Sequence, residues 1–141
     1  MHLIDGNNVM GRLSGNADSR RQLLDDVARL AAVKKLRLTI VFDGAPEQGF
    51  PDGSSYRGVK VFYARQNSDA DARIVELVEA ERNKKNMLVV TSDGKLAARV
   101  RVCGVRVMRS SAFQRLLDDA AQSSIAHAEP GSRRIKGEEM G

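Results

Sequence analysis

The sequence predicts an α/β fold of three layers, a central, mainly parallel β-sheet flanked by helices. Two observations predict it. Short, continuously apolar runs alternate with amphipathic stretches, the pattern of parallel strands covered on both faces. Three of those runs end in Asp-Gly, at Asp5-Gly6, Asp43-Gly44 and Asp93-Gly94. Glycine lets the chain turn sharply out of a strand and leaves the acid at its carboxyl end.

Each element follows from local pattern. Residues 1–4 form a short apolar strand. Over 19–35, Leu23, Leu24, Val27, Leu30 and Ala31 make one helical stripe, with Ser19 and Gln22 at capping-box spacing. Residues 36–42 are rich in strand formers. The stretch 45–57 holds Pro46, Gly49, Pro51 and Gly53 and is expected to be a loop. Residues 59–63 alternate like a strand. A second helix starts near Ser68, with Ile74, Val75, Leu77 and Val78 as its core face. Residues 87–90 form an apolar strand, followed by a short helix that Gly104 stops. A last strand is expected at 105–108 and a last helix over 111–117. From Gln122 the chain turns small and polar, which predicts a domain over 1–121 and a disordered tail over 122–141.

Composition limits the chemistry. The chain has 141 residues, 42% hydrophobic and 29% charged, enough for one core. No apolar run approaches the roughly 18 residues of a membrane span. The first residues carry no basic, apolar and cleavage pattern of a secretory signal, so a cytoplasmic location without a membrane partner is expected. Cys103 is the single cysteine, which excludes an internal disulfide, and its apolar helical setting suggests a buried, inert thiol. Two histidines, His2 and His127, supply neither a zinc cage nor a histidine relay. The net charge of +5 and pI of about 9.7 suit a polyanionic partner.

Aspartate is the abundant acid–base resource. Besides the strand-end acids, Asp69 and Asp71 open the second helix. Asp71 has Ile74, Val75 and Val78 at i+3, i+4 and i+7, so it lies on the core stripe and points to the sheet crevice. Asp69 lies on the flank. Plainer roles fit the same residues: Asp43 as a turn, Asp93 as a helix cap, and Asp71 with Ser68 as a capping box. Carboxylates that meet in one crevice repel one another and persist most easily around a cation. All-oxygen ligands favour Mg²⁺ or Mn²⁺ over zinc. Asn7, Asn8, Thr91 and Ser92 flank these acids and could orient water or phosphate, or simply serve turns and packing. Arg12, Arg57, Arg65, Lys95 and Arg99 fall in loops or helix starts near the expected crevice and could bind RNA phosphates.

Four motifs in register resemble the YacP-like branch of the NYN domains, within the PIN-like nuclease fold. They are Leu3-Ile4-Asp5-Gly6-Asn7-Asn8-Val9, Val41-Phe42-Asp43-Gly44, Ser68-Asp69-Ala70-Asp71 and Val90-Thr91-Ser92-Asp93, with Ser110-Ser111-Ala112-Phe113 closing the series. The resemblance spans residue 1 to about 120. It implies a Rossmann-like sheet, an acidic Mg²⁺ or Mn²⁺ site and endonucleolytic cleavage of RNA, in mRNA decay or RNA processing linked to the ribosome. It assigns Asp5, Asp71 and Asp93 as catalytic, metal-binding acids, with Asp43 and Asp69 as further metal contacts and Asn8 as the asparagine after Asp-Gly-x. Relatives often carry two adjacent acids where this chain has Asp71-Ala72.

That departure keeps a second reading open, a weakly active or inactive RNA- or ribosome-binding module on the same fold. A haloacid-dehalogenase-like phosphatase wants a second aspartate two residues after Asp5, where this chain has Asn7. A receiver domain wants a late-strand lysine, absent near 105–108.

Overall fold

The computed structural model describes residues 1–11 and 17–128. Six strands form one sheet: β1 (His2–Asp5), β2 (Leu38–Phe42), β3 (Ser54–Tyr56), β4 (Val59–Tyr63), β5 (Leu88–Val90) and β6 (Arg106–Met108). Their spatial order is β3-β4-β2-β1-β5-β6. All neighbours pair in parallel except β3, which runs antiparallel to β4. The expected mainly parallel α/β architecture is therefore the one the chain adopts.

The helices are α1 (Gly6–Met10), α2 (Ala17–Lys34), α3 (Ala70–Ala80), α4 (Gly94–Val102) and α5 (Ser110–Ala128). Strand alternation splits the core in two. On one face, Ile4, Ile40, Phe42 and Val61 pack under Leu24, Val27 and Leu30 of α2 and Phe113 and Leu117 of α5. On the other, Leu3, Val41 and Val89 pack under Ile74 and Val78 of α3 and Leu96 and Val100 of α4. Every residue of β2 and β5 is buried because both faces are covered. In β4, Lys60 is exposed between buried Val59 and Val61, as its alternation predicts.

Several boundaries differ from expectation. β3 lies inside the stretch read as loop, where Ser54–Tyr56 folds back on β4 despite the surrounding proline and glycine. α2 is described from Ala17, so Ser19 lies within the helix rather than just before it. Asp69, not Ser68, caps α3, through its side chain to the Ala72 N–H at 2.8 Å. α5 continues to Ala128, beyond the expected end of the domain at residue 121. Alanine-rich sequence there favours helix although it is too small and polar to read as core. Residues 129–141 of the expected tail lie outside the described residues. Cys103 is half-buried at the carboxyl end of α4 rather than buried within it.

Candidate active site

The parallel strands bring their carboxyl ends to one edge, where α1, α3, α4 and α5 begin. Ile4 pairs with Val90, so Asp5 leaves β1 level with Thr91 leaving β5. The Thr91 hydroxyl donates to Asp5 Oδ2 at 2.9 Å, and its oxygen accepts the Asp93 N–H at 3.1 Å. Thr91 is buried and engaged on both sides, so it positions the acid rather than orienting water. Asp5 is only 4% exposed. Although it precedes α1, its side chain makes no well-formed capping hydrogen bond, the Asn8 N–H lying only near enough to favour the charged carboxyl.

Burial pushes the Asp5 carboxyl up to about 6. Nearby Asp71 and Asp43 raise it further, while the Thr91 hydroxyl and the neighbouring Asn8 N–H pull it back. Asp71, in the first turn of α3, is also raised, by burial first and then by Asp93, Asp69 and Asp43. Arg99 of α4 works in the opposite sense. Asp71 and Asp43 thus lie near enough to Asp5, and Asp93, Asp69 and Asp43 near enough to Asp71, for these acids to repel one another along the carboxyl edge.

Most of these acids also hold the fold. Asp43 Oδ1 accepts the Ala70 N–H at 2.7 Å and so ties β2 to the start of α3. Asp69 caps α3 through Oδ1. Asp93 Oδ1 caps α4, accepting from Lys95 and Leu96 at 2.9 and 3.3 Å. Each leaves Oδ2 without a donor among the described residues. The Asp71 carboxylate has no hydrogen-bond partner among the described residues.

The asparagines act as staples through one atom each. Asn7 Oδ1 accepts the Asp43 N–H at 2.8 Å. Asn8 Oδ1 accepts the Ser92 N–H at 2.7 Å and the Ser110 hydroxyl. Ser92 Oγ in turn accepts the Ser110 N–H at 2.9 Å. Both asparagine amide groups keep their N–H donors free of described partners and available to a phosphate. Ser110 is a site-building residue that residue-by-residue reading assigned no role, and its place just before an apolar helical stripe was the available signal.

The basic residues divide. Lys95 lies exposed on the first turn of α4 and Arg99 exposed on its last, near enough to act on Asp71. Arg65 is held by Glu76 through two guanidinium hydrogen bonds, one at 2.8 Å. Arg57 lies in the β3–β4 turn, just before Val59, which pairs with Leu38 at the start of β2. That is the amino edge of the sheet, so Arg57 is not near the crevice. Arg12 lies outside the described residues.

Among the described residues no three His, Cys, Asp or Glu side chains converge closely enough to wrap an ion. The donor set still fits Mg²⁺ or Mn²⁺, which take hard oxygens and often use one or two carboxylates, with water and phosphate completing the shell. The unpartnered Asp71 and the buried, raised Asp5 are the carboxylates in want of such a charge.

The family model for the YacP-like NYN domain matches residues 2–140. The crystal structure of Rae1 (YacP) from Bacillus subtilis superposes with a TM-score of 0.76 at 22% identity, over 91% of this chain and 79% of that one. A tryptophan-to-leucine mutant of the same protein gives 0.71 at 21% identity, over 86% and 77%. At this identity the likeness establishes the fold. No curated protein matches the sequence. Matched over nearly its whole length, the chain belongs to the YacP-like NYN domain family, a family of PIN-like nuclease domains.

Proposed function

We propose that the protein is an endoribonuclease that hydrolyses RNA phosphodiester bonds with Mg²⁺ or Mn²⁺ held at Asp5, Asp71 and Asp93, acting in mRNA decay or RNA processing linked to the ribosome. The observation that carries this reading is the pairing of a buried Asp5, pushed up to about 6, with an unpartnered Asp71 at the sheet's carboxyl edge. A fold keeps like charges together at a cost, and perturbed acids of this kind cluster at functional sites. When bound, the ion would supply an activated water and offset charge on the scissile phosphate.

The chain's own residues have definite tasks. Thr91 fixes the Asp5 rotamer, and Asp71 faces it from α3. Asp93 and Asp43 offer Oδ2 from the margins, where they can contact the ion directly or through water. The amide groups of Asn7 and Asn8 can donate to a phosphate oxygen, and Lys95 and Arg99 can hold the backbone nearby.

The binding-module reading draws on two observations. Ala72 stands where relatives often have a second acid, and Asp43, Asp69 and Asp93 each commit one oxygen to structure. One experiment separates the two readings. Labelled structured and unstructured RNAs are incubated with wild type and Asp5→Asn in Mg²⁺, Mn²⁺ or EDTA, and product ends are analysed. Cleavage by wild type that EDTA and Asp5→Asn both abolish supports the nuclease. RNA binding without cleavage in any metal moves the conclusion to the binding module.

A further inference from the structure

Four arginines gather on one flank with no acid to meet them. β6 is an edge strand, paired only with β5. Beside it opens a groove of about 800 Å³ lined by Arg101 of α4, Arg106 and Arg109 at either end of β6, and Arg115 of α5. All four are exposed. No Asp or Glu lines the groove, and among the described residues none of the four enters an ion pair. Elsewhere Arg20, Arg65 and Arg73 are matched by Glu47, Glu76 and Asp52. Arginines left unneutralised beside one another raise the local potential and draw a polyanion.

The groove leads to the crevice. β6 runs parallel to β5, so Arg106 marks the amino edge and Arg109 the carboxyl edge. The residue after Arg109 is Ser110, stapled to Asn8 and Ser92 at the rim of the acidic site. Arg106 and Arg109 are three residues apart, about 10 Å along a strand.

We propose that this groove holds the phosphate backbone of the RNA substrate on one side of the cleavage point. The proposal rests on the ribonuclease reading of the crevice. Guanidinium forks suit phosphate oxygens. The groove contains no aromatic ring for base stacking, so the contact is to backbone and tolerant of sequence. An acidic peptide added to β6 would find only a three-residue strand with an arginine at each end.

The test compares wild type, Arg106→Gln/Arg109→Gln, and Lys34→Gln/Lys85→Gln, a control with the same loss of charge elsewhere on the surface. Binding of fluorescent single-stranded RNA is titrated against salt in EDTA, where nothing is cleaved. Two lost phosphate contacts should flatten the log–log salt slope by about 1.4, and the control should leave it unchanged. In Mn²⁺ the groove variant should raise KM on a long RNA and leave kcat unchanged, because the contact is equal in ground and transition states. An RNA too short to reach the groove should be cut equally by both proteins. An unchanged salt slope and KM in the groove variant overturns the proposal, and so does an equal change in the control. Polyglutamate is titrated in the same way, and its loss in the groove variant with RNA binding intact overturns the proposal in favour of an acidic protein partner. A flattened slope alongside a wild type that cuts no RNA supports the groove and sinks the ribonuclease reading alone.

Discussion

Asp5-Gly6 and Asp93-Gly94 close neighbouring parallel strands with the same two residues, yet the fold uses them in opposite ways. Asp5 is the last residue inside the sheet, buried beside Thr91 and making no well-formed capping hydrogen bond. Asp93 stands three residues past the end of β5, where it is half-buried and accepts two helical N–H groups. The glycines differ as well. A Cβ on Gly6 would lie 2.7 Å from the Phe42 ring, whereas one on Gly94 would meet nothing within 4 Å. Of the three Asp-Gly glycines, only Gly44, at φ +83°, needs glycine for its backbone conformation. A dipeptide's role is thus set by where the sheet register ends, and the tightly packed glycine follows the buried aspartate.

The sharpest way to break this contrast is activity. Asp5→Asn should cut RNA hydrolysis at least about 100-fold, because charge stabilisation by a metal ion amounts to several kcal/mol. Initial rates on one RNA, with circular dichroism to confirm the fold, check it. Full activity would reduce Asp5 to a buried structural acid.

The same residue makes a pH prediction. The folded protein holds the Asp5 proton up to a pH of about 6, against 3.8 for an ordinary aspartate. Below pH about 4 both folded and unfolded chains are protonated and the stabilising contribution is full. As pH rises through about 6 the folded chain must bear a buried charge and that stability is lost. The loss is at most about 3 kcal/mol, at 1.36 kcal/mol per unit. Urea unfolding in EDTA from pH 4 to 7.5 should show the decline in wild type and a smaller one in Asp5→Asn. Parallel curves would mean the carboxyl is not buried as described.

The glycines give the next effects. Gly6→Ala should cost about 1–3 kcal/mol by forcing Phe42 aside. Asp93→Ala should cost about 1 kcal/mol as a lost cap. Gly94→Ala should add about 0.5 kcal/mol by lowering unfolded-chain entropy. Thermal melts of the three variants test the ordering. A stabilising Gly6→Ala would erase the distinction between the two turns.

The sheet and its order of elements were legible in the sequence because periodicity and strand-end acids are local signals. The acidic positions followed from the same logic. What sequence could not show lies in long-range pairing. For Thr91 the sequence leaves water-orienting and packing roles equally open, because its tie to Asp5 crosses 86 residues. Arg65 looked free because Glu76, one turn into α3, claims it only after the chain folds back. Arg57 was placed by the crevice because β3 was read as loop, and the hairpin carries it to the other edge. Buried Arg73 went unnoticed for a similar reason. Its guanidinium reaches Asp52 and the Tyr63 carbonyl, both at 3.1 Å, and lies over the Phe62 ring.

The staples around the crevice have a consequence for synthesis. Ser110 reaches Asn8 across 102 residues, and β1 sits mid-sheet, between β2 and β5. A nascent chain that has not yet delivered residue 88 leaves β1 with one open edge, a template for pairing with other chains. It also leaves Asp5 without Thr91. Contacts of such sequence separation are closed late and slowly. On the nuclease reading, cutting power arrives only when the last strands dock, so a half-made copy is unable to attack the message from which it is being translated.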